Sequence, residues 1–139
     1  ISVQRSFVSY VAVATKVRVQ DNKVQVLEMH SSIDAGTVVN PDRVRSQQEG
    51  SMIFGLSLAL MSEISVKEGQ VEQSNYHDYQ VLRMHQCPVI ESYIIQSDAP
   101  PGGVGEPGTP PVAASLTNAI FHASGKRIRD LPISKHYSV

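Results

Sequence analysis

The stretch Ala99-Pro-Pro-Gly-Gly-Val-Gly-Glu-Pro-Gly-Thr-Pro-Pro111 decides the fold of this chain. Five prolines and four glycines in 13 residues exclude a helix interior or a central strand. Residues 103–108 formally satisfy G-x-G-x-x-G, with a strand expected before them and a helix after, which is the setting of a dinucleotide fingerprint. Three features oppose that fold. Pro107 removes a backbone donor inside the turn, and Glu106 places a negative charge where a pyrophosphate would sit. The chain also ends without a second convincing parallel strand, although Asp130 lies at a tempting distance. The other use of such a loop is to present Glu106: glycines permit close backbone approach, prolines stiffen the mount, and the following helix turns its positive end toward it.

Working outward, Thr109 and Pro110 read as N-cap and first position of a helix, with Val112, Leu116, Ile120 and Ala123 in one stripe and Gly125 as C-terminal cap. Upstream of the loop, residues 89–96 read as a strand and residues 76–88 as an ordered loop. Residues 63–66 and 71–74 suggest a short hairpin around Glu68-Gly69. Asn40-Pro41-Asp42 carries three helix-start signals at once, and the helix is predicted to run to about Ser62. Its apolar face is broad, so it should be buried on most sides, and Gly50, Ser51, Gly55 and Ser57 imply close packing. Alternation over residues 7–20 and 24–29, broken at Asp21-Asn22-Lys23, predicts a hairpin. Strands, a long helix, strands and a helix make an α+β fold: a mixed or mostly antiparallel sheet covered by two main helices.

Composition narrows the function. The 139 residues suit one domain, spanning 1–139, with 41% hydrophobic and 18% charged residues. A net charge of −1 offers no handle for nucleic acid. No apolar run approaches the roughly 20 residues of a membrane span. Cys87 stands alone, so no internal disulfide forms, and the five histidines are too dispersed for a zinc motif. The cluster Lys126, Arg127 and Arg129 fits a solvated helix end. The chain starts at Ile1 in extended sequence without an initiator Met, which reads as an excised or processed piece.

Residues 102–120, followed by Gly125-Lys-Arg-Ile-Arg-Asp-Leu-Pro-Ile133, resemble the C-terminus of the xanthine dehydrogenase/aldehyde oxidase family, in particular its isoquinoline 1-oxidoreductase type of large subunit. Asp34-Ala-Gly36, Asn40-Pro41, Gln47-Gln-Glu-Gly50, Gly55-Leu56 and Asn75-Tyr-His-Asp-Tyr79 match that family in order and spacing. After Glu106 the sequence departs from the xanthine type, which puts purine specificity in doubt.

The resemblance implies a molybdopterin-binding domain of aldehyde oxidase type, forming the C-terminal piece of a larger subunit. It implies a molybdenum–molybdopterin cofactor, in the cytosine dinucleotide form, with iron–sulfur clusters on a small 2Fe–2S partner subunit. The metal is held by the pterin dithiolene, so no side chain ligates it. Glu106 matches the active-site glutamate, the general base in oxidation of an N-heterocycle or aldehyde with water-derived oxygen. Gln47 matches a position that contacts the pterin, with Val104 and Gly105 flanking the cofactor; on residue type alone, Gln47 is equally an interior polar group paired with backbone. The 139-residue piece by itself is expected to be inactive. The alternative from another class is a non-catalytic structural or assembly domain of the same fold that docks to partner chains.

Overall fold

The computed structural model describes residues 1–139. Strands β1 (Ser2–Ser6), β2 (Ser9–Gln20) and β3 (Lys23–Asp34) form an antiparallel meander. Two further short strands, β4 (Val66–Lys67) and β5 (Gln70–Val71), make a separate hairpin. Strand β6 (Val89–Ile94) then joins β3 in parallel, giving a mixed sheet of order β1-β2-β3-β6. Helices α1 (Pro41–Leu60) and α2 (Pro110–Ser124) cover one face of this sheet. Val11 and Val13 of β2 and Met29 and Ile33 of β3 point into the same core as Leu56 of α1 and Leu116 of α2. The expected α+β class therefore holds, with the mixed form of the sheet.

Local chemistry explains the helix ends. The Asn40 side chain accepts the Arg43 N–H at 3.1 Å, and Pro41 opens α1. Gly125 closes α2 in the left-handed region at φ 72°. Thr109 differs from expectation: it is already helical and its side chain caps nothing. Its N–H donates instead to the Glu106 carbonyl at 2.9 Å, so the glycine loop runs into α2 through a turn. Beyond Gly125, the Arg127 guanidinium lies 3.7 Å from the centre of the Phe121 ring.

The two helices meet where a side chain is missing. A Cβ on Gly55 would lie 2.7 Å from Val112 Cβ, so α2 approaches α1 as closely as it does because that position is glycine. Ser115, fully buried, pairs its hydroxyl with Thr15 at 2.8 Å and ties α2 to the sheet. Ser57 donates to the Ile53 carbonyl and accepts the Leu82 N–H, fixing the loop that precedes β6.

That loop contains a carboxylate with three donors. The N–H groups of Asn75 and Ser74 and the Ser74 hydroxyl all donate to Asp78, at 3.0, 2.8 and 2.9 Å. Chiefly these backbone bonds, Asn75 first, hold the Asp78 carboxyl down at about 2 against an ordinary 3.8. Because the folded value is depressed, the turn should be complete above 3.8 and be lost as pH falls through about 2. The Ser74 and Asn75 amide resonances should therefore titrate near 2; a midpoint near 3.8 would show that these bonds do not form in solution.

Candidate functional site

The glycine loop follows β6 and crosses the turn of the β1–β2 hairpin at Phe7 before entering α2. Its approach is so close that side chains are excluded. A Cβ on Gly102 would sit 2.4 Å from Ser9 Oγ, and one on Gly103 would sit 2.6 Å from Phe7 Cβ. Hydrogen bonds fasten both residues: Gly102 N–H to the Ala35 carbonyl, Gly103 N–H to the Phe7 carbonyl, each at 2.8 Å, and Ser9 Oγ to the Gly103 carbonyl at 2.6 Å. The first glycines thus serve chain-to-chain packing rather than phosphate approach.

The second half of the loop rests on α1. The Gly105 carbonyl accepts two long bonds, from Gln47 Nε2 at 3.5 Å and Ser51 Oγ at 3.4 Å. Their i, i+4 spacing puts both donors on one side of the helix. Pro107 and Gly108 are buried beneath the turn, whereas Gly105 and Glu106 are exposed. The Glu106 carboxylate enters none of the chain's ion pairs. Backbone N–H groups of Gly105 and Glu106 have no acceptor within the chain.

These groups border an open cleft of about 700 Å³, within the size range of small-molecule sites. Gln47, Gly105 and Glu106, all singled out from the sequence, come together there. Val104 does not: it is half-buried, packs against the core and is absent from the lining of the cleft. Sequence reasoning missed Phe7 and Phe54, which line the cleft while 60% and 59% exposed. The spacing of Phe54 from Gln47 on one helix was the available signal for the second, and nothing local marked the first. A cleft with free amide donors, a serine hydroxyl, a glutamine amide and one unpaired carboxylate can bind an acceptor-rich ligand and move a proton beside it.

The chain belongs to the molybdopterin cofactor-binding domain family, whose model matches residues 3–88. It is 37% identical over 113 residues to isoquinoline 1-oxidoreductase subunit beta of Brevundimonas diminuta, a match spanning 81% of this chain and 14% of that relative. It is 39% identical over 101 residues to the membrane-bound aldehyde dehydrogenase (pyrroloquinoline-quinone) of Gluconacetobacter polyoxogenes, covering 73% of this chain and 13% of the relative. Quinoline 2-oxidoreductase from Pseudomonas putida 86 shares the fold, with TM-score 0.81 at 20% identity over 90% of this chain and 17% of that structure. The chain therefore spans about one seventh of the curated relatives it matches. No helix is long and apolar enough to cross a membrane.

Proposed function

We propose that this chain is a single domain forming the C-terminal part of a molybdenum hydroxylase subunit, and that it supplies the general base, Glu106, for oxidation of an N-heterocycle or an aldehyde. The observation that carries this reading is the meeting of Gln47, Gly105 and Glu106 at one cleft, although 58 positions separate Gln47 from Gly105. The free N–H groups of Gly105 and Glu106, with Gln47 and Ser51 beside them, suit a pterin group rich in acceptor atoms. Those residues would hold one side of the cofactor, in its cytosine dinucleotide form, and other parts of the subunit the rest. When bound, molybdenum–molybdopterin supplies the two-electron oxidation of the substrate carbon, with electrons leaving to a small 2Fe–2S partner subunit.

The chain's own residues do the remaining work. Glu106 takes the proton from the water-derived oxygen that becomes the new substrate hydroxyl, its carboxylate Oε atoms being free to accept it. Gln47 and Ser51 reach the Gly105 carbonyl through two long bonds and so bias the direction in which the Glu106 side chain leaves the backbone. Proline on the C-terminal side of Glu106 removes backbone freedom that would otherwise blur that direction.

The decisive measurement is cofactor content of the parent subunit, purified with its copurifying chains. About one molybdenum per assembly, with a pterin released on denaturation, is expected. The second relative is named for a different cofactor, which sets the opposing outcome. Stoichiometric pyrroloquinoline quinone without molybdenum would overturn the proposal.

A further inference from the structure

Directly under the Glu106 turn lies a group that the proposed chemistry does not use. Gln48 is 0% exposed, yet neither its Nε2 nor its Oε1 has a hydrogen-bond partner. A buried amide without partners is costly, and an apolar side chain of similar size on α1 would remove that cost. Its neighbour Gln47 is exposed and already engaged with the loop, so the buried amide is not a substitute for it.

Gln48 meets the loop at Gly108. A Cβ on Gly108 would lie 2.9 Å from Gln48 Oε1 and 2.8 Å from Ser51 Cβ, so the absence of a side chain at 108 is what lets the amide and the loop backbone meet. Gly108 is a buried residue, and its N–H donates to no group in the chain. A loop donor without a partner and a helix acceptor without one therefore lie on residues that the fold brings side by side. The bonds above them, to the Gly105 carbonyl, are long at 3.4 and 3.5 Å and hold the turn loosely by themselves.

We infer that Gln48 is a positioning residue: its buried amide, against the Gly108 backbone, sets the seat of the turn that carries Glu106. A small settling of the loop pairs Gly108 N–H with Gln48 Oε1, and the turn is then held from below by Gln48 and from the side by Gln47 and Ser51. An amide kept in the core at a cost to stability, beneath the one exposed carboxylate of the cleft, is the pattern of a site that trades stability for geometry. The inference rests on the Glu106 reading only for its effect on turnover. The anchoring itself can be read without turnover.

The test compares Gln48→Met and Glu106→Gln in the parent enzyme, by unfolding temperature, hydrogen exchange of residues 103–109, and kcat and KM across pH. Gln48→Met is expected to leave the unfolding temperature equal or higher, to speed exchange in that segment, and to lower kcat at least about tenfold with KM little changed and the acid limb of the kcat profile displaced. Unchanged exchange and unchanged kcat, with Glu106→Gln inactive, would overturn the role of Gln48 and leave the base intact. If Glu106→Gln stays active, the base reading fails, and exchange in residues 103–109 alone decides whether Gln48 anchors the turn. Should Gln48→Met not fold, Gly108→Ala attacks the same contact from the other side and should speed the same exchange; exchange like the wild type there overturns the inference.

Discussion

Glu106→Gln in the parent subunit is expected to lower kcat by roughly 10²–10⁴-fold, the usual worth of a positioned general base. The fold and the molybdenum content should be unchanged. The side chain is exposed, enters no ion pair and packs against nothing in the core, so its replacement by a near-isostere removes proton acceptance and little else. Gln47 and Ser51 hold the backbone at Gly105 rather than the side chain at 106, so the loop should keep its seat. Turnover is the measurement, with metal content and a circular dichroism spectrum as controls. Wild-type kcat in a fully loaded variant would assign the base to another residue of the subunit. It would also favour the alternative in which this domain serves assembly.

The parts of this fold that sequence made legible are those set by local chemistry. Asn40-Pro41 started α1 where the capping bond starts it, and Gly125 ended α2 where the left-handed residue ends it. Strand β1 was invisible for a physical reason. Its turn consists of Phe7 and Val8 at φ 50° and 69°, a conformation that bulky and β-branched residues disfavour, so no Asn-Gly signal marks a hairpin. Tertiary bonds from the glycine loop, Gly103 N–H to Phe7 and Ser9 Oγ to Gly103, hold that turn instead.

Alternation marks β3 only to Met29, whereas the strand runs on to Asp34 after a bulge opposite Lys16 and Val17 moves its inward side from Val24 and Val26 to Met29, Ser31 and Ile33. Beyond it the buried Ser31, whose hydroxyl donates to Ser92, breaks the apolar alternation. The cleft shows the same division. Glu106 stood out by its rigid loop, and Gln47 by family resemblance. Gln48, Phe7 and Phe54 acquire meaning only from what the fold brings beside them.

The largest loss of stability is expected from Gly36→Ala, at about 3 kcal/mol or more. Two costs coincide there. Gly36 has φ 66°, where an alanine costs roughly 1–2 kcal/mol in backbone strain. Its Cβ would also fall 2.2 Å from the Pro100 carbonyl oxygen and 2.6 Å from that of Ala99, and both obstacles are backbone with no rotamer to yield. The segment that would have to move is the stem of the glycine loop. Thr37 binds the Ala99 carbonyl through its N–H at 2.9 Å and its hydroxyl at 3.1 Å, and Gly102 binds Ala35 at 2.8 Å. Gly69→Ala separates the two costs, since Gly69 has φ 79° but open space where its Cβ would go. Denaturant unfolding should show Gly69→Ala losing only the strain of about 1–2 kcal/mol and Gly36→Ala clearly more. Equal losses would mean that the loop stem yields freely to the new methyl group. In that event the mount under Glu106 is soft, and the rigid presentation of the base that the glycine loop implies would have to come from the rest of the subunit.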